Sequence, residues 1–149
     1  MNDTPSETIV VGYDGREASE HALERAIADA KAANNGRVVA VVVDVFVESP
    51  TTVASAGWGY VPPIPEEGPV ELQPLLEAAR ARLAEAGVAG EAVWGLGDPA
   101  FEIVRVARAE NAIRIVVGHH HHSALGRFLG ADVAARIQEA APCEVVVMS

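Results

Sequence analysis

The sequence predicts an α/β fold: a doubly wound sheet of five parallel strands with helices on both faces. Three observations lead there. Short β-branched apolar runs alternate with amphipathic helical segments in the order β-α-β-loop-α-β-α-β-α-β. The strand-like runs are apolar at nearly every position, as expected of strands covered on two faces. The chain has 149 residues, 50% of them hydrophobic, which suits one domain over residues 1–149 with a sizeable core. Aromatic residues make up only 5%, so Val, Ile, Leu and Ala must build that core.

The elements follow in order. Thr8 to Gly12 (TIVVG) reads as the first buried strand. Ala22, Leu23, Ala26, Ile27, Ala30 and Ala33 then recur at helical spacing, and Asn34, Asn35 and Gly36 stop that helix. Arg37 to Val45 (RVVAVVVDV) is the second strand. A long loop follows within residues 48–69, with Pro50, Pro62, Pro63, Pro65 and Pro69 and the aromatics Trp58 and Tyr60. Loops of this length are functional or disordered, so a lid and a loose insertion are both open readings. The second helix spans roughly Val70 to Ala86, with Leu72, Leu75, Ala79 and Leu83 on one face. Pro74 is tolerated only near a helix start, which sets the regular part from about Gln73. Glu91 to Leu96 is the third strand. Asp98 caps the next helix and Pro99 occupies its first turn, with Ala100, Ile103, Val104 and Ala107 inward. Ile113 to Gly118 is the fourth strand, Leu129 to Ala141 the last helix with Val133, Ile137 and Ala141 inward, and Glu144 to Met148 the fifth strand.

Composition excludes several partners. The formal net charge of −10 repels phosphate backbones and anionic lipid, so no nucleic acid and no membrane partner are expected. No apolar run approaches the roughly 20 residues of a membrane helix. The polar stretch MNDTPSET lacks the apolar region of a signal peptide, and one cysteine, Cys143, permits no intrachain disulfide. Both suit a cytoplasmic protein.

In open parallel sheets, ligands bind outside the carboxyl ends of the strands. The residues there are Asp14, Asp44, Asp98 and the row His119, His120, His121 and His122. Asp14 reads either as a carboxylate in a ligand crevice or as the first half of an Asp-Gly turn. Asp98 has a sufficient explanation as a cap. Cys143 follows a helix carboxyl end, where the dipole disfavours a thiolate. No Walker loop, no G-x-G-x-x-G after the first strand and no G-x-S-x-G elbow occurs. No constellation names a nucleophile or base, so a binding protein rather than an enzyme is expected. Four contiguous imidazoles read as a metal trap, a proton switch, an anion cradle or a solvated loop. Contiguous residues cannot easily aim four rings at one ion, and no ligands from other segments are apparent, so no metal site is assigned.

Three segments together resemble the universal stress protein family: IVVGYDGREASEHALERAIADA, GDPAFEIVRVARAENAIRIVVG and AAPCEVVVM. The resemblance covers Thr8 to Met148. It implies the adenine nucleotide alpha hydrolase-like fold with strand order 3-2-1-4-5. It also implies a cytosolic homodimer paired through Glu144 to Met148, and ATP or AMP as the ligand of some members. Family members that bind nucleotide carry G-x2-G-x9-G-[ST] after the fourth strand. Here Gly118 matches the first glycine, His121 stands for the second, and Ala131-Asp132 stands for the final pair. A slip of one residue would put Gly130 in place and Ala131 where the hydroxyl belongs. Gly118-His119-His120 resembles a branch of the family that lacks nucleotide binding.

The site this resemblance implies comprises Gly12, Tyr13, Asp14, Val42, Val117, Gly118, His119, His121, Ser123, Ala131, Asp132 and Val133. Asp14 and Val42 match the adenosine contacts, and Ser123 a small hydroxyl residue of the loop. The nucleoside half is intact and the phosphate half is altered. A Cβ at His121 keeps backbone away from phosphate, and Asp132 sets a negative charge against a polyanion. The expected protein is a stress-response regulatory or binding protein with weak or absent ATP binding. The alternative is an ATP- or AMP-binding protein whose histidines replace the missing phosphate donors.

Overall fold

Five parallel strands form one sheet in the order β3-β2-β1-β4-β5. The structure, a computed structural model, describes residues 6–44, 65–119 and 131–149. The strands are β1 (Thr8–Gly12), β2 (Arg37–Asp44), β3 (Ala89–Leu96), β4 (Arg114–Gly118) and β5 (Glu144–Met148). The helices are α1 (Glu17–Ala32), α2 (Gln73–Ala86), α3 (Pro99–Ala109) and α4 (Ala131–Ala140). Residues 45–64, which include Val45 of the expected second strand and most of the Pro-rich loop, lie outside the described residues.

Strand periodicity divides the core into two layers. Ile9, Val11, Val38, Ala40, Val42 and Val116 pack against α1 and α2. Their neighbours Val10, Val39, Val41, Ile115 and Val117 pack against α3 and α4. Successive side chains point to opposite faces of a strand, so strands sandwiched by helices need apolar residues at every position. That is why the central strands read as unbroken apolar runs.

The helix limits have local causes. Asp98 Oδ1 accepts a hydrogen bond from the Ala100 N–H at 3.3 Å, and Pro99 opens α3 where no N–H is required. Gly87 ends α2 in the left-handed region (φ 69°), where glycine carries no steric penalty. Pro74 sits in the first turn of α2, so the helix begins at Gln73. The inward face of α2 departs from the sequence expectation. Leu76, not Leu75, joins Leu72, Ala79 and Leu83 in the core, and Leu75 is half-buried. A helix phased from Leu72 places residues four, seven and eleven positions on along one stripe, which selects Leu76. Ala33 and Ala141 are likewise half-buried rather than core, each lying just past its helix. Among the described residues, no helix is long and apolar enough to cross a membrane.

Candidate functional site

The helices that follow β1 and β4 in the chain, α1 and α4, pack on opposite faces of the sheet. Their divergence opens a crevice at the carboxyl ends of these neighbouring strands. Gly12, Tyr13 and Asp14 line it from the end of β1, Val117 and Gly118 from the end of β4. Val41 and Val43 contribute from β2, Ser19 from α1, Pro99 and Ile103 from α3, and Val133 from α4. The cleft is therefore mostly apolar, with a small polar corner at Asp14 and Ser19.

That corner is held by local hydrogen bonds. Asp14 Oδ1 accepts from the Arg16 N–H at 2.9 Å. The Asp14 N–H donates to Ser19 Oγ at 3.2 Å, and Ser19 Oγ donates to the Arg16 carbonyl at 3.0 Å. Gly15 adopts φ 78°, and a Cβ there would come within 2.7 Å of Leu75 Cδ2. The Asp-Gly pair is thus a turn, and the same turn fixes a carboxylate at the cleft wall. The turn reading of Asp14 holds, and that turn sets the residue among the cleft lining.

Tyr13 contributes backbone to the cleft and side chain elsewhere. Its N–H donates to the Val41 carbonyl at 2.9 Å. The ring is buried in the α1/α2 layer, and its hydroxyl donates to Glu20, which also pairs with Arg82 of α2. Burial, then the Glu20 carboxylate, push the Tyr13 phenol up to about 12. A folded-state value above the unfolded one, about 10, favours the protonated ring in the fold. The stabilisation is complete below pH 10 and is lost as pH rises through about 12. In a Tyr60→Phe background, phenolate absorbance should therefore appear near pH 12 rather than near 10, unless alkali unfolds the chain first.

Gly118 has a packing reason to be glycine. A Cβ there would lie 2.6 Å from the Ala18 carbonyl carbon and 2.7 Å from its oxygen. Backbone cannot yield as a side-chain tip can. Gly118→Ala should thus destabilise the fold by about 1–3 kcal/mol, a loss measurable by urea denaturation with no ligand present. A glycine conserving space only for a ligand would tolerate the methyl group in the free protein.

The remaining expected residues fall in several places. Val42 is buried in the α1/α2 layer, on the face opposite the cleft, and the β2 side chains at the cleft are Val41 and Val43. A one-residue offset along a strand changes the face. His119 lies at the end of β4, where its N–H donates to the Met148 carbonyl at 2.6 Å and extends the β4–β5 pairing. That amide is committed to the sheet. Ala131 and Asp132 are the first two residues of α4. His120, His121, His122 and Ser123 lie outside the described residues. Ser19, Pro99 and Ile103 join the cleft without having been singled out as site residues. A hydroxyl five residues after Asp14, in the first turn of the next helix, was the available signal for Ser19.

Asp44 and Asp98 stand at strand ends but outside the cleft lining. The Asp44 carbonyl accepts from the Gly97 N–H at 3.0 Å. Asp98 caps α3 and forms a two-point ion pair with Arg136 of α4, one contact at 3.0 Å. The Arg136 guanidinium holds the Asp98 carboxyl below its usual range. Burial, with a smaller push from Glu144, raises the Cys143 thiol, consistent with an unreactive residue.

A doubly wound parallel sheet with an apolar cleft at its switch point defines the chain as an open-sheet α/β domain. The model of the family described as universal stress protein family matches residues 5–149, and the chain belongs to that family. It is 30% identical over 146 residues to universal stress protein YxiE of Bacillus subtilis (strain 168), covering 94% of this chain and 97% of that one. Its fold is similar to that of a universal stress protein family member from Burkholderia pseudomallei. The TM-score is 0.67, identity is 29%, and 95% of each chain is covered. A universal stress protein from Archaeoglobus fulgidus, solved in complex with dAMP, matches with TM-score 0.65 and 21% identity. That match covers 96% of this chain and 98% of the relative.

Proposed function

We propose that this universal stress protein acts as a cytosolic regulatory binding protein whose cleft accepts the nucleoside part of an adenine nucleotide and holds its phosphates poorly. The carrying observation is the division of the site. Apolar walls from Val41, Val43, Ile103 and Val117, with a fixed Asp14, suit a flat heterocycle and its ribose. On the phosphate side the sequence lacks two glycines and the hydroxyl of the motif, at His121, Ala131 and Asp132. The His119 amide, next to the first motif glycine, is already bonded to Met148. The relative solved with dAMP supports the ligand class.

Denaturing freshly purified protein and weighing what is released tests the reading. No adenine nucleotide should be released at a level matching the protein. A full equivalent of ATP or AMP would refute it and favour the alternative, in which protonated histidines hold the phosphates. That alternative predicts tighter nucleotide binding as pH falls from about 7.5 to about 6.

The reading includes a homodimer. β5 has β4 as its neighbour, and among the described residues no strand pairs with its outer edge. Its Val145, Val146, Val147 and Met148 are half-buried, unlike the fully buried side chains of β1. An open apolar edge strand is a template for pairing. Sedimentation equilibrium should give twice the chain mass.

A further inference from the structure

The cleft is narrow as it stands. Its free volume is about 30 Å³, which is room for water and not for a heterocycle. Pockets that bury small ligands run to about 300–1,000 Å³. A flat ring therefore enters only if part of the wall moves aside. Most of that wall is stiff. Val41, Val43, Val117 and Val133 are β-branched, with no torsion beyond χ1, and Pro99 is a closed ring. Ile103 differs, because its terminal Cδ1 turns about χ2 while χ1 and the backbone stay in place.

The tip of Ile103 rests where Gly12 has no side chain. A Cβ at residue 12 would lie 2.9 Å from Ile103 Cδ1, but 3.8 Å from Ile103 Cγ1 and 3.4 Å from Val117 Cγ1. The one close approach is thus to the terminal methyl. Gly12 ends β1 and is not among the glycines with positive φ, so its backbone does not call for glycine. What the missing side chain provides is space, and the buried Ile103 tip takes it up. Gly12 and Ile103 close the gap between β1 and α3 as a complementary pair.

We propose that the Ile103 tip, seated on Gly12, is a plug that determines whether the cleft admits a flat heteroaromatic ring, which enters by displacing it. The inference deepens the nucleoside reading of the cleft and rests on that reading for the class of ligand. Ile103→Val removes the Cδ1 methyl alone and so removes the plug with little change to the core.

The test is calorimetry of the full chain with adenosine and, as a plain flat ring, indole. Both should bind Ile103→Val about tenfold more tightly than the parent, the level at which one methylene in an apolar pocket decides affinity. The same variant should unfold at a lower urea concentration, so affinity and stability move in opposite directions. Val104→Ala lies on the same helix and in the same core layer but outside the cleft lining, and it should lose stability without that gain. Adding Gly12→Ala to Ile103→Val should cancel the gain, because the new Cβ fills the space that Cδ1 left. Weaker binding of both ligands by Ile103→Val, or the same gain in Val104→Ala, would overturn the plug. Adenosine bound equally by the parent and Ile103→Val would also overturn it and leave the nucleoside reading standing. A gain for indole, with adenosine bound by neither protein, would keep the plug and refute the nucleoside reading. No binding of either ligand by any of these proteins would overturn both.

Discussion

The triple variant His121→Gly, Ala131→Gly and Asp132→Ser is expected to bind magnesium-ATP about a hundredfold more tightly than the parent chain, with adenosine affinity unchanged. The variant restores the family motif that begins at Gly118. Two glycines let backbone N–H groups approach phosphate, and the serine replaces a negative charge by a donor. A hydrogen bond to a charged group contributes about 1.5–3 kcal/mol. Two regained contacts reach the hundredfold level at about 1.4 kcal/mol per factor of ten. Removing the negative charge of Asp132 adds to this, because residue 132 belongs to the first turn of α4, where the helix dipole favours a bound anion. Asp132→Ser alone should recover only part of the gain. Isothermal calorimetry with ATP and adenosine in parallel checks both halves. An equal gain for adenosine would mean that the substitutions act on the fold and not on phosphate.

Leu76→Ala is expected to cost about 2–5 kcal/mol of folding stability, as for other fully buried leucines. Leu75→Ala should cost clearly less. Leu76 is fully buried between α2 and the sheet, whereas Leu75 is half-buried and reaches toward the Gly15 turn. Urea denaturation of both variants measures the difference. The expected loss of melting temperature is about 2–4 °C for each kcal/mol in a chain of this size. A larger loss for Leu75→Ala than for Leu76→Ala would mean that α2 is phased with Leu75 inward. The pair also separates stability from the site: Leu75→Ala should disturb the Asp14 turn more than its small stability cost implies.

Most of the fold is legible in the sequence, for a physical reason. A sheet covered on both faces makes its strands uniformly apolar, and capping residues mark the helix limits. β1 and β5 match their expected limits, and α3 begins behind its Asp98 cap as expected. What is not legible depends on phase or on distant partners. Leu75 and Leu76 both follow Leu72 at helical spacing, by three and four residues, and only packing against the sheet selects Leu76. The Asp98–Arg136 pair joins residues on different helices, and nothing local announces it. Val42 illustrates the same limit in a strand, since one residue decides the face. Asp14, Val117, Gly118 and Val133 do converge on one cleft, because the switch-point rule locates a crevice from strand order alone. Gly118 carries a second role that no motif displays, as the close approach to Ala18 appears only once β4 and α1 are packed.

The central claim is that this cleft retains its nucleoside side and has lost its phosphate side. Calorimetry of the untagged parent protein at neutral pH, titrated in turn with adenosine and with magnesium-ATP, tests it most directly. The account predicts that ATP binds no more tightly than adenosine, because His121 and Ala131 replace the glycines that admit phosphate and Asp132 replaces the hydroxyl with a negative charge. Micromolar ATP binding, with adenosine bound far more weakly, would contradict it.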